Sequence, residues 1–178
     1  NYKRTRDGNA LVDRAVAQVL GTSGDDFAIR DFHPYGYDER QYGSPGFKFP
    51  VGVISRSVHG TFPEYHTSAD NLDFITPECM ADTLRKTMDV LSVLEYNATY
   101  VNLKPFCEPR LGKYGLYGSG GGQRSGEFSE LALLWVMNQS DGSHDLLTIA
   151  ERSGMSFEKI LHAARSLETA GLLRREGA

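Results

Sequence analysis

The residues best suited to chemistry lie in Gly60-Thr-Phe-Pro-Glu-Tyr-His-Thr-Ser-Ala-Asp-Asn-Leu-Asp73. This stretch is polar, follows a short apolar run and precedes a helix start, so it reads as a loop at a sheet edge, where ligands bind. His66 stands between Tyr65 and a string of short polar residues, with Asp70 and Asp73 close by. An imidazole held there can ligate zinc through one nitrogen while the other hydrogen-bonds a carboxylate or carbonyl. Taken alone, a loop histidine is more often a surface residue than a ligand. His59, seven residues earlier, could approach the same cleft, although a loop histidine bonded to backbone is the commoner outcome. Asp38, Glu39 and Arg40 either meet the charged ends of a substrate or pair with each other and fix their loop. His33, His144 and His162 read as incidental. Cys79 has no His or Asn close in sequence to activate it, so a thiol nucleophile is not expected. The Gly118–Gly122 run lacks the preceding strand and the following Lys-Ser/Thr of a phosphate cradle.

The elements that must position these residues are legible from periodicity. Leu11, Val12, Ala15, Val16, Val19 and Leu20 fall at helical spacing, with Asn9 placed to cap the start and Gly21 to end it. Phe27–Phe32 is rich in strand formers, His33–Phe49 is turn-rich, and Pro50–Ser55 reads as a short buried strand. Thr76-Pro77-Glu78 opens a helix, since Thr caps, Pro suits the first turn and Glu meets the positive end. Met80, Leu84, Met88, Leu91 and Leu94 carry it to about Tyr96 and should pack on the sheet. The order suits an α/β layer structure short of strands.

From Leu111 to Gly126 the chain holds seven glycines and no period, which marks a linker between residues 1–110 and 127–178. Beyond it, Phe128, Leu131, Ala132 and Trp135 form one helical stripe. Leu146, Leu147, Ile149 and Ala150 form a second, closed by Gly154. Ser156 caps a third, lined by Phe157, Ile160, Leu161, Ala164 and Leu167 and ended by Gly171 before Leu172-Leu173-Arg174-Arg175. Helix, short helix, Gly turn, longer helix and an apolar-basic strand is the order of a winged helix-turn-helix. Charge argues against DNA as a partner. From Gly126 onward five basic residues face eight acidic ones, and Lys159 and Arg165 on the third helix are offset by Glu158 and Glu168. Phosphate binding needs the opposite balance, so a packing or partner-docking module is the expected role.

Composition narrows the rest. The 178 residues are 40% hydrophobic and 24% charged with a net charge of −4, the makeup of a globular protein. No apolar run approaches the roughly 18–20 residues of a membrane span. Two cysteines, Cys79 and Cys107, are too few for a disulfide scaffold and fit a reducing cytoplasm. A homo-oligomer is left open.

Tyr65-His66-Thr67 followed by Asp70 resembles the last ligand motif of the co-catalytic zinc exopeptidases, the superfamily of leucyl aminopeptidases and glutamate carboxypeptidases. The resemblance implies that His66 binds one of two zinc ions and that Tyr65 hydrogen-bonds the oxyanion of the tetrahedral intermediate. The stretch Tyr37 to Gly46 with Phe49-Pro50-Val51-Gly52, together with Tyr2-Lys3-Arg4 and Gly112-Lys113, is similar to aminopeptidase-like proteins that end in a winged helix. Some of these are encoded among polysaccharide-biosynthesis genes.

What the resemblance implies is a zinc-dependent hydrolase acting on a peptide or other amide, with a mixed sheet flanked by helices. Such a centre needs about five protein ligands and a Glu as general base. All but the last His would lie upstream of Asn1, so the chain is expected to be the C-terminal portion of a longer enzyme, unable to assemble the site alone. A non-enzymatic scaffold carrying a winged helix is the alternative, and a transcription factor ranks last.

Overall fold

The computed structural model describes residues 1–116 and 130–177. Two units emerge, Asn1–Leu94 and Glu95–Ala178.

In the first unit, β1 (Tyr2–Lys3) lies between β2 (Ile29–Arg30), to which it is parallel, and β3 (Val53–Ile54), to which it is antiparallel. The strands expected near 27–32 and 50–55 are therefore present but only two residues long. β3 is not buried: Ile54 remains 37% exposed. Helix α1 (Leu11–Thr22) runs on past Gly21, and its start is made not by Asn9 but by Ala10, whose N–H donates to Asp13 Oδ2 at 2.9 Å. Asp13 is the hub of this unit. It also accepts from Tyr2 Oη (2.8 Å), Thr5 N (2.8 Å) and Thr5 Oγ1 (2.5 Å), tying β1 to α1. Burial pushes the Asp13 carboxyl up, but these hydrogen bonds outweigh it and hold it below the ordinary carboxylate range. Ala15, Val16, Val19 and Leu20 pack beneath. Gly52 admits the Tyr2 ring, since a Cβ there would sit 2.2 Å from its hydroxyl.

Two further helices follow, α2 (Asp38–Tyr42) and α3 (Pro77–Tyr96). Thr76 caps α3 as its sequence predicts, accepting the Cys79 N–H at 3.3 Å. Its apolar stripe behaves otherwise. Val90 and Val93 are buried, whereas Met80, Leu84, Met88 and Leu91 are each more than half exposed instead of packing on the sheet.

The second unit is a winged helix. Its helices are α4 (Glu130–Gln139), α5 (Leu146–Ser153) and α6 (Phe157–Thr169), and its sheet runs β5 (Asp141–Asp145), β4 (Thr99–Asn102), β6 (Leu173–Arg175), antiparallel throughout. The central strand β4 comes from residues that the linker position had assigned to the first part. The linker itself begins later than Leu111. Leu111–Tyr114 is a 3₁₀ turn, and Leu111 and Leu116 are buried; residues 117–126 lie outside the described ones. On α5 and α6 every expected stripe residue is buried. Asp145 caps α5 by accepting the Thr148 N–H at 2.7 Å, whereas the Ser156 side chain makes no capping bond to α6. On α4 the buried face is Ala132, Leu133, Val136 and Met137, with Leu131 55% exposed. The run Leu131-Ala-Leu-Leu-Trp-Val-Met137 is apolar on every side, so periodicity could not choose a face. Phe128 lies outside the described residues.

Candidate functional site

Tyr65 and His66 sit on successive turns after β3, held by Tyr65 N–H to Phe62 O (3.3 Å) and Thr67 N–H to Glu64 O (3.1 Å). The Thr67 hydroxyl donates to the same Glu64 carbonyl at 2.8 Å. His66 adopts φ +59°, a left-handed conformation that non-glycine residues seldom take. Backbone strain of this kind concentrates at functional positions. The exposed His66 ring stacks on Tyr65, with centroids 3.9 Å apart and planes 17° from parallel. Among the described residues nothing hydrogen-bonds its nitrogens. Asp70 and Asp73 are exposed and engage the local turns through their backbone, Asp70 N–H to Thr67 O (3.2 Å) and Asp73 N–H to Asn71 Oδ1 (2.9 Å).

The second cluster reaches the first through aromatic rings. The Tyr37 and Tyr65 hydroxyls meet at 3.1 Å, and that hydrogen bond pushes the Tyr65 hydroxyl above its ordinary range. His59 lies among Tyr35, Tyr37 and Tyr65, at centroid distances of 6.4, 5.8 and 6.1 Å. Phe62 packs edge-on to Tyr65 at 5.6 Å and stacks on Phe74.

Of the two roles the sequence left open for Glu39, its contacts are those of a residue that fixes the loop. It is 5% exposed, its carboxylate pairs with the Lys3 ammonium, and it accepts the Tyr37 N–H at 3.0 Å. Burial pushes its carboxyl up, yet the hydrogen bonds from Lys3 and from backbone N–H groups bring it below the usual carboxylate value. Glu39 therefore fixes the loop, and its partner is Lys3 on β1 rather than a neighbouring charge. Asp38 and Arg40 remain exposed beside it. Lys3, which sequence reasoning had given no role at the site, also donates to the Tyr35 and His33 carbonyls (3.0 and 3.3 Å). No local pattern could have disclosed a partner 36 residues away.

Among the described residues no three His, Cys, Asp or Glu side chains gather into a group able to hold a metal ion. His66 offers one imidazole where a two-zinc centre takes about five ligands. These residues do not make that centre by themselves. No helix among the described residues is long and apolar enough to cross a membrane.

Comparison with known proteins places both units. Residues 98–175 match a winged helix-turn-helix family. Residues 1–97 match the family described as a domain of unknown function (DUF4910), and the chain belongs to it. It is 47% identical over 174 residues to a Clostridium acetobutylicum protein provisionally named a polysaccharide biosynthesis protein with aminopeptidase-like domain. That match covers 98% of this chain and 40% of the relative, so the chain spans about 40% of the length of the curated relative it matches. A crystal structure at 2.37 Å resolution, of a provisionally named peptidase from the same organism, superposes with a TM-score of 0.86 at 43% identity. It covers 98% of this chain and 38% of that one.

Proposed function

We propose that the chain serves a zinc-dependent, aminopeptidase-like hydrolase that cleaves a peptide or other amide bond in the cytoplasm. His66 is one metal ligand and Tyr65 is the oxyanion donor. The observation that carries this reading is the adjacent, stacked Tyr65–His66 pair, its imidazole exposed on a left-handed turn and its phenol carrying a hydroxyl hydrogen-bonded to Tyr37. The aminopeptidase-like domain named in the relative agrees with it, and the relative's link to polysaccharide biosynthesis admits an amide on a sugar as well as a peptide. Zinc in such a centre polarises the carbonyl and activates water. The part of this chain is to present the imidazole and to meet the developing oxyanion with a phenolic O–H, a donor that gains strength as negative charge builds.

The winged helix serves to dock a protein partner and not DNA. Two basic residues on α5 and α6 are occupied within the unit: Arg165 lies over the Tyr96 ring at 4.6 Å and Arg152 meets His144 Nε2 at 2.9 Å.

Two substitutions, made in a polypeptide that carries the remaining ligands, separate the roles. His66→Ala is expected to lower zinc content and activity together. Tyr65→Phe is expected to keep the metal while lowering turnover by roughly 10²–10³, the usual loss for one oxyanion donor. Full zinc in the His66→Ala protein, or unchanged turnover in Tyr65→Phe, would sink the assignment. Absence of bound zinc in the unsubstituted protein would favour a scaffold without chemistry.

A further inference from the structure

The geometry points to Tyr37 as a positioning residue for Tyr65: its hydroxyl, 3.1 Å away, holds the Tyr65 oxygen at the site and keeps it a hydrogen-bond donor. This rests on the reading of Tyr65 as the oxyanion donor.

The placement of Tyr37 is built from the sheet outward. Lys3, on the central strand β1, pairs with the Glu39 carboxylate and also takes the Tyr35 carbonyl at 3.0 Å. The other Glu39 oxygen accepts the Tyr37 N–H at 3.0 Å. Gly36 leaves room for this arrangement, since a Cβ there would fall 1.8 Å from Glu39 Oε1. An otherwise exposed tyrosine thus has its backbone pinned, and its ring is directed past His59 to a single hydroxyl partner.

The proton arithmetic follows from the phenol. Each hydroxyl has one hydrogen and can accept as well as donate. One hydrogen of the pair is spent between the two oxygens, and the other is left for a third group. In the resting pair either hydroxyl can donate to the other across the 3.1 Å gap. When an oxyanion arrives, Tyr65 must turn its hydrogen to it, and Tyr37 then donates to Tyr65. Linked donors of this kind polarise one another toward the charge. No bond other than hydrogen bonds changes. The remaining titratable groups that face Tyr65 are His66, His59 and Tyr35.

The test in the 178-residue chain is the contact between the Tyr65 and His59 rings, read from nuclear Overhauser effects, the Tyr65 resonances being assigned with Tyr65→Phe. Tyr37→Phe removes one exposed oxygen and is expected to leave the fold intact while that contact weakens as the Tyr65 ring is released. An unchanged contact would overturn the inference. In an active polypeptide, Tyr37→Phe is expected to lower kcat roughly five- to tenfold, the worth of one neutral hydrogen bond, with KM and zinc content unchanged. In a Tyr65→Phe background the same substitution should do nothing more. A further equal loss there would overturn the inference, because Tyr37 would then act on substrate directly. If Tyr65→Phe by itself leaves turnover unchanged, the hydrolase reading fails, and the Tyr65–His59 ring contact in the Tyr37→Phe chain still decides the pair.

Discussion

On α6, Ile160, Leu161, Ala164 and Leu167 are all under 8% exposed; on α3, Met80, Leu84, Met88 and Leu91, at equally regular spacing, are 51–63% exposed. The two helices carry the same sequence signal and meet different fates. Periodicity announces that a helix has an apolar face, and it is silent on what covers that face. In the winged helix the cover is close at hand, because α4, α5 and α6 lie within about forty residues of one another and pack together. The first unit is held differently. Its strands are two residues long, and beside a small apolar set on α1 its interior holds a polar hub, Asp13, that gathers Tyr2, Thr5 and Ala10. One unit closes on apolar side chains, the other on apolar side chains and a buried carboxylate.

The largest test of that contrast lies in the apolar unit. Leu167→Ala removes a fully buried side chain and should cost roughly 2–5 kcal/mol. Chemical unfolding followed by fluorescence of Trp135, the chain's single tryptophan, will read it. A loss below about 1 kcal/mol would mean that α6 packs loosely.

The next test exchanges the carboxylate. Asp13→Asn should cost roughly 1–3 kcal/mol by leaving donors of Tyr2, Thr5 or Ala10 unmet. Acid should act on the same feature. The folded Asp13 and Glu39 both titrate below their unfolded values, so the stability they lend is complete above those values and is lost as pH falls through the folded ones. Tyrosine ring signals of the first unit should therefore collapse in acid before Trp135 responds. In the second unit Asp141 is also lowered, chiefly by the Ser143 hydroxyl, but it is exposed and lends little. Simultaneous loss of both signals would erase the distinction.

The smallest effect should come from α3. Leu84→Ser on its open face should change stability by no more than about 0.5 kcal/mol. A larger loss would show that some surface covers the face in solution.

The same contrast explains what the sequence could disclose. The winged helix was legible because caps, stripes and glycine stops are local, and on α5 and α6 each stripe residue is buried where the period put it. It failed on α4, where apolar residues surround the helix, and on β4, whose four residues carry no signal of pairing with strands some forty and seventy positions later. In the site, Tyr65 and His66 were visible as a polar loop motif after a strand. The Lys3–Glu39–Tyr37 support was not, since its members reveal themselves only when β1 brings them together. Glu39 looked like a surface charge because its neighbours Asp38 and Arg40 are surface charges.

The position of β4 bears on how the chain is made. On the ribosome Thr99–Asn102 emerges first and waits while residues 103–140 are synthesised before β5 can pair with it. It waits again for Leu173–Arg175 before its other side is filled. Helices α4, α5 and α6 can therefore assemble on their own local contacts while the sheet closes only at the end of translation. A shortened gene that began inside the glycine-rich stretch would spare all three helices and omit the strand between β5 and β6. Its product would offer two bare strand edges to its neighbours, the usual route to intermolecular pairing and precipitation.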